Sequence, residues 1–227
     1  MLEILKNISG NPLFVIDKSI PITKYIPISI ASSNSALTFD VSSSDEWEDY
    51  INNYLNKNDK KVAFGGYLEV RDIYNRSDYF SKLSEENQRN IHLGIDLWCD
   101  AQTAVLAVLD GEIHSFKNNT NPGDYGPTII LKHTFNNNVF YSLYGHLSES
   151  SLNNLQIGTL VKQGEKIAIL GDSSINGDYA PHLHFQLILD MEKYIGDYPG
   201  VSSKKMLDFY QQNCPNPNLL LKLPHEI

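Results

Sequence analysis

The chain reads as a mainly β protein: an antiparallel sheet or sandwich core in residues 63–227, an N-terminal α+β lobe in residues 1–62, and a helix near the C-terminus. Three observations carry that reading. Short β-rich runs follow one another in quick succession: Ile91–Trp98, Ala104–Leu109, Glu112–Phe116, Thr128–His133, Val139–Tyr144, Lys166–Leu170 and His182–Leu189. Turn signals separate them, such as Asp110-Gly111, Asn121-Pro122-Gly123-Asp124 and Asn176-Gly177-Asp178, a spacing that suits antiparallel sheets. Helical periodicity, by contrast, is confined to the two ends of the chain.

In the first lobe, Leu13-Phe14-Val15-Ile16 and Ile20-Pro21-Ile22 are β-rich, and Pro21 and Pro27 restrict such strands to sheet edges. One clear helix follows. Ser43-Ser44-Asp45-Glu46 has the spacing of a capping box, and Trp47, Tyr50, Ile51, Tyr54 and Leu55 fall on one helical face. The polar stretch Asn56 to Lys61 ends it and places a boundary near residue 62. Val62 to Tyr67 is β-rich again, and within the charged stretch Arg71 to Asn90 the residues Ser84-Glu85-Glu86-Asn87 suggest a helical turn. At the far end, Ser202-Ser203 opens a helix carrying Met206, Leu207, Phe209 and Tyr210, which stops before Pro215.

Composition bounds the function. The 227 residues are 41% hydrophobic and 20% charged, with 18 basic against 27 acidic side chains and a net charge of −9. Disorder is excluded by the recurring apolar segments. The acidic balance, with no basic cluster, argues against nucleic acid as a partner. The longest apolar run, Ala104–Leu109, is too short to span a membrane. Cys99 and Cys214 form no C-x-x-C pair; one long-range bridge between them stays open, with two unpaired buried thiols the preferred reading. The start at Met1 lacks an export signal, so a cytoplasmic location is expected if Met1 is the natural start.

Four of the seven histidines keep informative company. On a strand, residues two and four apart share a face, so His92 and Asp96 point the same way with Gly94 between them, and His182 and His184 do likewise while Leu183 and Phe185 face the other side. A third β-segment ends in Tyr144-Gly145-His146-Leu147. A lone histidine among apolar residues is usually a hydrogen-bonded structural group, and His133, His114 and His225 are read that way or as exposed. Two His and one Asp from two β-segments are different: three N/O ligands with a fourth position for water is the composition of a catalytic zinc site.

The order of motifs from about Arg89 to Leu189 resembles that of the lysostaphin/LytM-type zinc metallopeptidases. His92-Leu93-Gly94-Ile95-Asp96 looks like the family's H-x-x-x-D segment, and Gly123 to His133 is similar to its G-x-Y-G-x-x-[VI]-x-[IL]-x-H stretch. Tyr144-Gly145-His146-Leu147, Val161 to Ile167 and Pro181-His182-Leu183-His184-Phe185 complete the order. The resemblance implies a duplicated-hybrid-motif-like β fold over residues 63–227 and one Zn²⁺ ion held by His92, Asp96 and His184. His146 and His182 would then be the catalytic pair, and Tyr125 and Tyr179 groove-wall residues that contact substrate.

The implied activity is that of a zinc metalloendopeptidase cutting peptide bonds in peptidoglycan-type or glycine- and alanine-rich peptides, and most of the family works in the periplasm or outside the cell. Two departures bear on the substrate: Gln186 stands where Glu often follows H-L-H-F, and the loop Gly171 to Ala180 is longer than usual. The alternatives are an intracellular amidohydrolase or peptidase on a non-wall substrate, and a non-catalytic LytM-like binding module.

Overall fold

In a computed structural model, which describes residues 1–73, 86–121 and 123–224, the protein is built on an eight-stranded sheet. Its strands are β1 (Tyr25–Pro27), β2 (Val62–Gly65), β4 (Ile95–Trp98), β6 (Gly111–Asn119), β7 (Gly126–Phe135), β8 (Asn138–Gly145), β9 (Leu160–Val161) and β11 (His182–Ile188). They lie in the order β1-β2-β4-β11-β8-β7-β6-β9. Two further pairs stand apart: β3 (Arg89–His92) with β12 (Val201–Ser203), and β5 (Ala104–Leu106) with β10 (Lys166–Ile169). Pairing is antiparallel except at the β1–β2 edge, which is parallel. Pro27 sits on that outermost strand, where a missing N–H costs no ladder bond.

Alternation sets which side chains enter the core. Leu183, Phe185 and Leu187 of β11 join Ile95 and Leu97 of β4 and Tyr144 of β8 in the main cluster, while the intervening His182, His184 and Gln186 face the other side. The N-terminal segment contributes Leu5, Leu13, Val15 and Ile16 to the same cluster. Helix α2 (Ser44–Lys57) begins as its sequence requires: Ser43 Oγ accepts from the Glu46 N–H. The reciprocal half of the box is rewired, because the Glu46 carboxylate accepts from Asp40 N–H instead of Ser43 N–H. Trp47, Ile51 and Leu55 are buried against Ile28, Ile30, Trp98 and Tyr179 in a second cluster.

Three sequence expectations are corrected, and one element is added. Ile91–Trp98 is not one strand but two, broken at Leu93-Gly94; a Cβ on Gly94 would lie 2.7 Å from His184 Cε1 and 2.8 Å from the Phe185 carbonyl, so the chain passes β11 here too closely for a side chain. Ser202 and Ser203 do not open a helix. They pair with Ile91 and Arg89 in β12, and the helix α3 starts later, at Leu207–Asn213. The extended reading of the N-terminus holds for the edge strand β1, while Leu2–Asn7 forms a short helix α1, Ile22–Lys24 a 3₁₀ turn, and Leu13–Ile16 contributes an isolated bridge from Ile16 to Val105. A short helix α4 (Asn218–Leu221) follows Pro217 and buries Leu220 and Leu221. Of the suggested turn at Ser84–Asn87, Ser84 and Glu85 lie outside the described residues while Glu86 and Asn87 form a turn; His225 also lies outside them. No helix among the described residues is long and apolar enough to cross a membrane.

Candidate metal centre and cleft

The break at Gly94 turns His92, at the end of β3, toward Asp96 of β4, and β11 brings His184 directly opposite Asp96 in the ladder. His92 Nε2, Asp96 Oδ1 and His184 Nδ1 converge: the two nitrogens are 2.8 Å apart, and each is 3.2 Å from the oxygen. All three residues are buried. Ligands arranged tetrahedrally at about 2.0–2.1 Å from one ion are separated by about 3.3 Å, so the observed triangle is the right size and slightly contracted.

The outer nitrogens settle the chemistry of the inner ones. His92 Nδ1–H donates to the Gly66 carbonyl at 2.9 Å, which leaves Nε2 with a bare lone pair. His184 Nε2–H donates to Gln186 Oε1 at 2.9 Å. Gln186 can only present its oxygen there, because its amide nitrogen donates to the Pro199 carbonyl at 3.1 Å and to Cys214 Sγ at 3.3 Å. Two lone pairs and a carboxylate oxygen therefore face a common point, a concave set of acceptors that a cation satisfies. The donors present fit a metal ion. Burial raises the Asp96 carboxyl, but His92, Arg71 and His182 outweigh it and hold it well below the usual carboxylate range. Burial, reinforced by the Arg71 charge and opposed by Asp96, lowers His92 to about 4, keeping the ring neutral as a ligand must be.

The second pair of histidines sits beside this triangle. His146 follows β8 with φ of +61°, a backbone conformation uncommon outside glycine. It is held by two main-chain bonds, its N–H to the Tyr125 carbonyl and its carbonyl to the Gly171 N–H. His146 Nδ1–H donates to the Asn176 carbonyl at 2.6 Å, and His182 Nδ1–H to the Ala180 carbonyl at 2.7 Å. Both rings thus turn Nε2 away from their anchors, with ring centroids 4.2 Å apart. His182 Nε2 is 3.8 Å from Asp96 Oδ1, and its ring stacks on Trp98. Burial depresses the proton affinity of both, assisted at His146 by His182 and His184.

A cleft of about 800 Å³ opens over these groups. Ile30, Trp47, Trp98, Tyr179 and Ala180 give it an apolar side; Asn121, Asp124 and Asp197 also line it. Tyr125 and Tyr179 both line it, though each is largely buried: the Tyr125 ring lies 5.0 Å from that of His184, and Tyr179 donates its hydroxyl hydrogen to the Gly123 carbonyl while packing 5.0 Å from His146. The long loop Gly171–Ala180 supplies Tyr179 and, through Asn176, the anchor of His146.

His133 stands elsewhere, bonded through Nδ1 to the Asp110 carbonyl and through Nε2 to Ser142 Oγ. His114 is half-buried beside Ser115 and Tyr141. Both cysteines are buried and unpaired.

Several residues of the site escaped sequence reasoning. Gln186 was singled out as a departure bearing on the substrate, but its hydrogen bond to His184 Nε2 was not foreseen. Asn176 acts through its carbonyl, Gly66 likewise, and no side-chain pattern announces such roles. Arg71 and Glu69 lie upstream in a stretch without a motif.

Residues 90–195 match the model of peptidase family M23. A protein of Haemophilus influenzae described as an uncharacterized metalloprotease is 33% identical over 115 residues, which is 49% of this chain and 22% of the relative, so the chain spans under a quarter of that relative's length. Among solved structures, the catalytic domain of the antimicrobial peptidase lysostaphin from Staphylococcus simulans is 27% identical, covering 54% of this chain and 80% of that one with a TM-score of 0.37. A zinc-containing peptidase from Vibrio cholerae is 29% identical over 44% of this chain and 28% of that one, with a TM-score of 0.35. All five residues of the cleft singled out above, His92, Asp96, His146, His182 and His184, fall inside the segment that is similar to peptidase family M23.

Proposed function

We propose that the protein is a zinc-dependent metallopeptidase, with His92, Asp96 and His184 as the metal ligands and His146 and His182 as the catalytic residues. The observation that carries the assignment is the convergence of three acceptor atoms whose outward partners leave them nothing but a cation to bind. Zinc suits two imidazoles and a carboxylate, and when bound it supplies Lewis acidity, bringing the pKa of water down to about 7 and polarising a carbonyl.

The histidine pair defines what the chain itself can do with protons. In its neutral form each ring presents only an acceptor at Nε2, since Nδ1–H is committed to a loop carbonyl. The first step open to the pair is removal of a proton from the attacking water. Once charged, that ring donates from Nε2, either to the oxyanion that develops on the substrate carbonyl or to the departing nitrogen. Both anchors hold the rings in place throughout.

Peptides rich in glycine and alanine, of the peptidoglycan type, are the substrate class we assign, with Tyr125 and Tyr179 as cleft walls that contact them. Residues 63–227 would be the catalytic unit and residues 1–62 a lobe built onto it through the β1–β2 pairing. Metal content measured together with cleavage of a panel of glycine- and D-alanine-containing peptides tests the proposal. One zinc per chain and endopeptidase turnover abolished by a chelator are expected. A chain that takes up no zinc, or takes it up and cuts no amide bond, would overturn the assignment.

A further inference from the structure

We infer that Arg71, which lies outside the segment matched to the family, is a positioning residue for the metal site: it occupies the outer oxygen of Asp96 and so leaves one oxygen for the ion. The inference rests on the metal-site reading above and extends it to residues 66–71.

The geometry is specific. Arg71 is buried, and its Nη1 donates to Asp96 Oδ2 at 2.5 Å while Asp96 Oδ1 faces His92 and His184. A carboxylate with one oxygen in a charge-assisted bond to a guanidinium is restrained from turning both oxygens to an ion. Arg71 is itself fixed. Its Nε donates to Glu69 Oε2 at 2.8 Å, and its guanidinium carbon lies 5.6 Å from the centre of the Trp98 ring. Glu69 Oε1 accepts from Ser29 Oγ at 2.6 Å and from the Ile30 N–H at 3.0 Å. A continuous line of polar contacts thus runs from the N-terminal lobe through Glu69 and Arg71 to a metal ligand.

Gly66 makes the room. A Cβ there would lie 1.8 Å from Arg71 Nη2 and 3.0 Å from His92 Nδ1, and its φ of +103° suits glycine. The same residue gives His92 its carbonyl partner. The segment is held alongside β3 by three main-chain bonds: Leu68 N–H to the His92 carbonyl, His92 N–H to the Glu69 carbonyl, and Arg71 N–H to the Asn90 carbonyl. Two of the three ligands therefore take their outer partners from residues 66–71. The matched family segment does not complete its own metal site in this chain.

Zinc affinity by chelator competition, and the visible spectrum of the cobalt(II)-substituted protein, test this on the full chain. Arg71→Met should weaken zinc binding by about 10- to 100-fold, and its cobalt spectrum should lose intensity as the freed carboxylate raises the coordination number. Arg71→Lys keeps the charge without the two-pronged donation and should fall between. Should Arg71→Met fail to fold, Glu69→Gln, which leaves the arginine but loosens its far end, decides: a several-fold loss of affinity with a shifted cobalt spectrum is expected. Wild-type affinity and an unchanged spectrum in the folded variants would overturn the positioning role. Wild-type protein that binds no zinc would instead overturn the underlying metal assignment, so the two failures are distinguishable.

Discussion

Two buried histidine environments in this molecule differ in one respect that decides their roles. In the sheet, His133 spends both ring nitrogens on the protein, on the Asp110 carbonyl and on Ser142 Oγ. In the cleft, His92, His146, His182 and His184 each give one nitrogen to a main-chain or amide oxygen and turn the other toward the common space. Burial alone does not separate them, since all five are buried. A histidine with both nitrogens satisfied has no valence left for chemistry; one with a single anchored nitrogen is oriented and still has a lone pair to use.

The strongest way to break the comparison is to remove a ring whose free nitrogen belongs to the triangle. His184→Ala should abolish zinc retention and drop hydrolysis to background, as read by metal analysis and peptide cleavage on the same sample. His146→Ala should separate the two functions of the cleft: metal content stays at wild-type level while turnover falls roughly 10²- to 10⁴-fold, the usual range for losing a general acid–base group. Undiminished turnover in that variant would remove His146 from the proton-transfer scheme.

A finer cut leaves every histidine in place and removes an anchor. Gln186→Leu should deprive His184 Nε2–H of its partner and allow the ring to change tautomer or swing, weakening zinc binding by about 10- to 100-fold. Chelator competition reads it directly. Unchanged affinity would mean that Tyr125 Oη, 3.4 Å from the same nitrogen, is anchor enough.

These contrasts also explain what the sequence could and could not convey. The convergence of His92, Asp96, His146, His182 and His184 was legible because strand alternation places His182 and His184 on one face, and because the motifs occur in order. The α2 helix was legible from Ser43 and the Trp47-Ile51-Leu55 face, a local signal. The β3–β4 break was not, because it comes from a long-range approach of Gly94 to β11. Ser202 and Ser203 read as a helix start because serine caps helices, yet their ladder with β3 outweighs that preference. Arg71, Gly66 and Asn176 act on the site across 25, 26 and 30 residues of chain respectively, two of them through main-chain carbonyls that every residue type possesses.

The smallest effect concerns His133 and leaves the cleft untouched. Burial lowers its pKa from the ordinary 6.5 to about 4, against the opposing pull of the Asp110 carbonyl. As pH falls through 6.5 the unfolded chain takes up a proton at this residue and the folded chain does not, so stability declines with pH until the folded ring also titrates near 4. Between pH 7.5 and 5.5 the contribution is roughly 1–2 kcal/mol. In His133→Gln the absolute stability is lower at both pH values because the buried bonds are altered, but the loss on going from pH 7.5 to 5.5 should be smaller than in the wild type by that amount. Denaturant unfolding at the two pH values measures it, and zinc affinity at pH 7.5 should not change. An equal pH slope in the two proteins would show that His133 takes up its proton in the folded chain as readily as in the unfolded one, which its two-sided bonding to the Asp110 carbonyl and Ser142 would then have to accommodate with a donating Nε2–H at low pH. A ring sealed at both nitrogens would in that case titrate as freely as in the unfolded chain, and the distinction between sealed and open histidines would have to rest on geometry alone, without its electrostatic half.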